Sequence, residues 1–187
     1  MGYLSHYKLL VIAFYLFTLV GCESAINSRV KAPALFSLMP ITEQLVGRGW
    51  LESFTFSGVV EHSLIVSTEF EQHIINVAAL TPEGMPISQL KFDSNTGQFI
   101  NAEVLNAALD PTKVIYDMQS AFWPIDAIRR AAMANVAVEQ VTKNGQLTRL
   151  FYRNNALIRE ITYNGALTQL TEHEQQYRLN IQRLEEY

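Results

Sequence analysis

Three turn signals stand ten residues apart near the C-terminus: Asn144-Gly145, Asn154-Asn155 and Asn164-Gly165. Asn and Gly tolerate the positive φ that tight hairpin turns require. Turns at equal short spacing leave only short strands between them, so this part of the chain predicts an antiparallel meander. Asp93-Ser94-Asn95-Thr96-Gly97 gives a fourth hairpin signal upstream.

A period of two recurs through the chain. Phe54, Phe56, Gly58 and Val60 alternate with Ser53, Thr55 and Ser57. Ile100, Ala102 and Val104 alternate with Asn101 and Glu103, and Tyr177, Leu179 and Ile181 with Arg178, Asn180 and Gln182. Such alternation marks half-buried antiparallel strands. The stretches 63–70, 73–81 and 86–93 read as further strands. Thr42 to Val46 predicts a short helix capped by Thr42 and broken by Gly47 and Gly49.

The middle of the chain changes period. Asp110-Pro111 is a helix start, an Asx cap followed by Pro in the first turn. Val114, Ile115, Met118 and Phe122 follow a helical stripe that Trp123-Pro124 ends. Ile125, Ile128 and Ala132 line a second short helix, with Arg129 and Arg130 on its other side. The order strands, helical pair, strands predicts a mainly β (α+β) fold. Its form is a single strongly curved antiparallel sheet, an open half-barrel around a short helical pair, with the helical insert at about 110–133.

The N-terminus sets the expected compartment. Leu9 to Val20 is apolar except for Thr18 and leads into Leu19-Val20-Gly21-Cys22. The run suits a secretory leader and is short of the ~20 apolar residues of a spanning helix. It resembles a bacterial lipobox, which implies cleavage before Cys22 and acyl chains of the palmitate class on that residue. Each buried methylene contributes about 0.8 kcal/mol, so several chains together hold a protein at a bilayer. The expected organisation is a lipoprotein signal peptide over 1–21, a lipidated tether over 22–41, and the half-barrel domain over 42–187. The expected location is the periplasmic side of the cell envelope, with the membrane as partner through the lipid. Glu23, rather than Asp, after the cysteine favours the outer membrane over the inner. Loss of the leader leaves 13 basic and 18 acidic residues, a net charge of −5. With no long basic run, nucleic acid is not an expected partner. A single Cys also leaves no internal disulfide.

No catalytic constellation is legible. His62, His73 and His173 have no second His or Cys at ligand spacing, so no metal site is expected. Glu69/Glu71 and Asp110/Asp117 read as solvated charge rather than acid–base pairs, and Glu172-His173-Glu174 as a solvated loop. There is no Gly-x-Ser-x-Gly elbow and no Gly-rich phosphate loop. No catalytic residue and no cofactor is assigned, and the chain is expected not to be an enzyme. The aromatics Trp50, Phe54, Phe56, Phe92, Phe122 and Trp123 come from sheet and helix segments alike. They form either a packed core or the lining of an apolar ligand cavity, and the pattern alone does not separate the two. Phe54, Phe56, Met118 and Phe122 are the cavity candidates, because the helical stripe is expected to face the sheet. Arg129 and Arg130 read as a solvated helix face, or as a cavity mouth that meets an anionic head group.

Two further segments carry a family likeness. One is Ala79-Leu80-Thr81-Pro82-Glu83-Gly84 followed by Gln89-Leu90-Lys91-Phe92-Asp93. The other is Tyr116-Asp117-Met118-Gln119-Ser120-Ala121-Phe122-Trp123-Pro124 followed by Ile128-Arg129. With the lipobox and the flanking strands, residues 45–183 resemble a Gram-negative lipoprotein family known as a domain of unknown function. That family is similar in turn to the Lol-type lipoprotein carriers and receptors. The resemblance implies about eleven strands wrapped around short helices, an apolar cavity, and the carrying of acyl chains. It also resembles components found beside aryl-polyene or fatty-acid-like synthesis genes, which implies a polyene lipid as cargo. The expected function is a lipid-anchored carrier or receptor for an acylated or hydrophobic molecule, such as a lipoprotein or polyene lipid, without catalysis. A protein partner in envelope transport fits the same reading. The alternative is a structural or assembly lipoprotein that docks a membrane complex.

Overall fold

The computed structural model describes residues 34–57, 61–104 and 110–187. Cys22, the leader and most of the expected tether lie outside the described residues, as do Gly58 and Val60. Ten strands form: β1 (Gly49–Ser57), β2 (His62–Glu71), β3 (Ile74–Leu80), β4 (Pro86–Asp93), β5 (Gln98–Val104), β6 (Val136–Lys143), β7 (Gln146–Arg153), β8 (Ala156–Asn164), β9 (Leu167–Glu172) and β10 (Tyr177–Glu186). Between β5 and β6 stand two helices, α1 (Pro111–Phe122) and α2 (Ile125–Ala131).

All ten strands make one antiparallel sheet in the order β5-β4-β3-β2-β1-β10-β9-β8-β7-β6. The first and last strands pair in the middle, and β5 and β6 are left as edges, so the sheet does not close. This is the predicted mainly β open half-barrel around a helical pair. The eleven strands implied by the resemblance are ten among the described residues.

The hairpins follow the turn chemistry. Asn144-Gly145 and Asn154-Asn155 form two-residue loops with φ of 53° and 79°, and of 50° and 66°. The third turn sits one residue later than predicted. Asn164 stays paired with Leu167, and Gly165 supplies the positive φ of 58°.

Residues directly opposite across paired strands share a face, so the inner face can be traced by register. Phe54 stands between Leu64 and Ile181, and the row Phe70, Ile75, Phe92, Phe99 crosses four strands. Phe70, Ile75, Phe92, Ile161, Leu170 and Ile181 on this face are almost fully buried. The opposite face carries Ser53, Thr55, Ser63, Ser67, Asn180 and Gln182. Leu51, Ile65 and Leu80 share that face half-buried, so polar and apolar residues are mixed there, whereas a barrel in lipid turns a continuous apolar band outward.

Three local expectations are corrected. Ile100 is not on the buried face: a bulge pairs Phe92 with Phe99 and Lys91 with Asn101, leaving Ile100 58% exposed. Phe99 takes the inner position, its ring 5.1 Å from that of Phe92. The predicted helix at 42–46 is a turn, closed by Leu45 N donating to the Thr42 carbonyl at 2.9 Å. Gly47, with φ of 81°, ends it before a second helical turn can form. Residues 35–41, assigned to the tether, belong to the fold. Leu35, Phe36 and Met39 are buried, and Phe36 pairs with Ala132 in an isolated bridge. The aromatic and aliphatic side chains of this short stretch bury it against the rest of the fold.

Helix α1 has the predicted start and stop. The Asp110 side chain accepts from Thr112 N at 2.9 Å, and Trp123 turns extended and ends α1. Ile115, Met118 and Ile128 are buried. Phe36 is 1% exposed and stacks on Tyr116 with ring centroids 4.4 Å apart. Phe36→Ala is therefore expected to lower stability by about 3–5 kcal/mol in urea unfolding, and Ile100→Ser to change it by less than about 0.5 kcal/mol.

Candidate functional site

Helix α1 lies against the inner face, and its sequence divides it into three stripes. The first is apolar: Ile115, Met118 and Phe122, spaced three and four apart. Phe122 meets Trp50 edge to face at 4.9 Å, and Trp50 meets Phe70 at 4.7 Å. Of the four cavity candidates, Phe54 and Met118 are buried while Phe56 and Phe122 are half-buried, and all four join one apolar cluster. Phe54 and Phe56 stand on the same face of β1 with rings 6.3 Å apart.

The second stripe, Tyr116, Gln119 and Trp123, binds the segment 35–41. Tyr116 Oη accepts from the backbone N–H groups of Leu35 and Phe36. The Gln119 side chain accepts from Met39 N at 2.9 Å and donates to Met39 O at 2.8 Å. Trp123 Nε1 donates to Pro40 O at 2.8 Å. The helix thus supplies the partners a sheet would otherwise give this backbone.

The third stripe is charged. Asp117 accepts from Lys113 Nζ at 2.8 Å, from Tyr177 Oη at 3.0 Å and from Arg159 at 2.9 Å. Arg159 also donates to Glu172 at 2.8 Å and to Ser120 Oγ at 2.8 Å. Asp117 and Glu172 were read as solvated charge, and this is corrected: their side chains are 6% and 5% exposed. Inward-facing positions on β8 and β9 place Arg159 beside Glu172 in register, under the turn of α1 that carries Asp117. Burial pulls the Arg159 guanidinium down, but Asp117, Tyr177 and Glu172 together outweigh it and hold it above its ordinary value. Burial pushes the Tyr177 hydroxyl up and the Lys113 ammonium down. Each charged group is engaged by a partner, and Ser120 Oγ donates to the Asp117 carbonyl. The cluster holds α1 to β8, β9 and β10.

The end of α1 is closed by strand residues. Arg149 donates to the Ser120 carbonyl at 2.7 Å, and Tyr163 Oη to the Ala121 carbonyl at 2.7 Å. Burial raises the Tyr163 hydroxyl to about 12. On the central strands β1 and β10, Glu52 is 1% exposed and pairs with Arg183 at 2.8 Å. The Arg183 guanidinium also covers the Trp50 ring at 4.0 Å. Burial pushes the Glu52 carboxyl above 4.5, against the pull of Arg183. Trp50 Nε1 and Ser88 Oγ are buried on the inner face without a hydrogen-bond partner among the described residues.

Other sequence candidates are scattered. Arg129 and Arg130 are exposed on α2, and Arg129 Nε donates to Val138 O at 3.0 Å. Glu69 and Asp110 are exposed. Among the described residues no three His, Cys, Asp or Glu side chains gather as metal ligands. Arg159, Glu172, Tyr177 and Ser120 were not foreseen. The one available signal was the spacing of Lys113, Asp117 and Ser120 on a single helix face.

The family described as protein of unknown function (DUF3261) matches residues 53–185. The chain belongs to that family. The match runs from β1 to β10 and includes every residue of the charged cluster. No curated protein matches the sequence. Among solved structures, the chain is similar to a Vibrio parahaemolyticus domain described as an outer membrane lipoprotein-sorting protein domain. Identity is 6% and the TM-score 0.37, over 75% of this chain and 85% of that one.

Two outcomes are expected from the buried charges. Arg159→Met leaves Asp117 and Glu172 without their shared cation and is expected to cost about 3–5 kcal/mol in urea unfolding. For Glu52 the folded state binds the proton more readily than the unfolded chain. Its contribution is fully present below 4.5 and is lost as pH rises through the raised folded value. The stability of the wild type minus that of Glu52→Gln is therefore expected to fall in urea melts as pH is raised from 4.5.

Proposed function

We propose that this protein is a lipid-anchored carrier or receptor on the periplasmic side of the envelope. It takes up an acylated or otherwise hydrophobic molecule by burial, with no covalent step. The observation that carries the reading is the margin of the inner face. Phe56, Leu64, Val104 and Val114 pack on the core yet remain half-buried. An open sheet with an apolar inner face and an incompletely covered margin can admit a chain-like ligand between helix and strands. Trp50 Nε1 and Ser88 Oγ add what apolar sites use for orientation, a few buried polar atoms on an otherwise hydrophobic wall. The expected lipid on Cys22 would hold such a site at the membrane where its cargo arrives.

The alternative, a structural lipoprotein docked on an envelope complex, draws on β5. Among the described residues that strand pairs on one side only and has Ile100 exposed, whereas Arg129 caps the β6 edge at Val138 O.

Native mass spectrometry of the intact protein separates noncovalent lipid from acyl chains on Cys22. A long-chain lipid is expected to co-purify, and Phe56→Asp is expected to weaken its binding about tenfold or more, the worth of one aromatic burial. Melting should change little, because Phe56 is only half-buried. A wild-type protein that carries no lipid, but crosslinks through β5 to a protein partner, overturns the carrier reading in favour of the alternative.

A further inference from the structure

The point at which the chain enters the fold marks out one face of the domain. Leu35 O accepts from Met133 N at 3.0 Å, and Ser37 N donates to Ala131 O at 3.0 Å. The polypeptide therefore enters the domain beside the C-terminal end of α2. Only residues 22–33 separate Cys22 from Ala34, the first described residue. Twelve residues reach at most about 40 Å when straight, and about 20 Å as a flexible chain. A tether of this length favours the faces nearest the entry point over those farthest from it.

Charge is divided in the same sense. Residues 49–104 carry seven carboxylates against one cation, Lys91, and six remain when Glu52, buried against Arg183, is set aside. Beside the exit, α2 exposes Arg129 and Arg130 against Asp126, and Arg130 has no ion-pair partner among the described residues. The linking segment adds Arg29 and Lys31 against Glu23. Met133, next to the exit, is 37% exposed. A cationic helix end with an exposed thioether is suited to an anionic interface: the charges meet phosphates and the apolar group enters the head-group layer. The carboxylates of β1–β5 are repelled from the same surface.

We propose that the α2 face, with Arg129, Arg130 and Met133, docks on an anionic bilayer surface and orients the anchored domain. This rests on the lipid anchor proposed above. Docking places α2 against the membrane and turns the acidic strands β1–β5 toward water.

The test uses the full lipidated protein in vesicles of POPC with one quarter POPG, and in pure POPC. A fluorophore is placed at Met133→Cys, with Met85→Cys as control because Met85 is 61% exposed in the turn between β3 and β4. Flotation with the vesicles reports the anchor, and iodide quenching reports docking. The label at 133 is expected to be shielded in POPG vesicles only, and the label at 85 to remain open in both. Arg130→Gln is expected to lower the docked-to-free ratio about fivefold, the weight of one cation at such a surface, and raised salt should do the same. Floating protein with equal quenching at 133 and 85, or equal shielding in POPC, overturns the docking face and leaves the anchor standing. Protein that does not float overturns both.

Discussion

An open sheet can hide its apolar inner face only by placing something against it. Here that is α1, and the rest of the fold is arranged to keep it there. A closed barrel satisfies its own edges and fills its centre from its own strands. This sheet leaves β5 and β6 unpaired with each other, so the helix must be gripped from outside the sheet's hydrogen-bond ladder. Three stripes of α1 do this with different chemistry: apolar side chains toward β1 and β2, hydrogen bonds to the backbone of 35–41, and ions toward β8–β10.

The ionic stripe is the costly one. Buried ion pairs recover their desolvation only with good geometry and full hydrogen bonding. Asp117 and Arg159 meet that requirement, because each engages several partners. An apolar contact there would have fixed depth but not register. Two donors from the strands, Arg159 and Tyr177, converge on the Asp117 carboxylate and fix the rotation of α1, and rotation decides which residues face the sheet. The half-buried margin at Phe56, Leu64, Val104 and Val114 depends on that setting.

Much of this was legible in the residues. The Asn and Gly turns fixed the C-terminal meander, because positive φ at a two-residue loop leaves few alternatives. Alternation located β1, β5 and β10, and Asp110-Pro111 with Trp123-Pro124 bounded the first helix through local steric rules. What failed was short or irregular. Ile100 alternated correctly, but a bulge, which depends on the neighbouring strand, moved it outward. Thr42 looked like a cap, but the chain after it was too short to propagate a helix before Gly47. Asp117 and Glu172 looked like surface charge because their shared partner, Arg159, lies 42 and 13 positions away along the chain.

The sequence by itself therefore determined the strands, the turns, the helical pair and the balance of apolar and charged residues, since these follow from neighbours along the chain. It also carries the lipobox resemblance at Cys22. The tertiary structure alone decided the central β1–β10 pairing, the seating of residues 35–41 on α1, and the gathering of Arg159, Asp117, Glu172 and Tyr177. It also decided that the chain leaves the fold beside Arg130 and Met133. The physical reason is that these contacts join residues far apart in sequence, and burial makes their charges and hydrogen bonds count only once the sheet has brought them together.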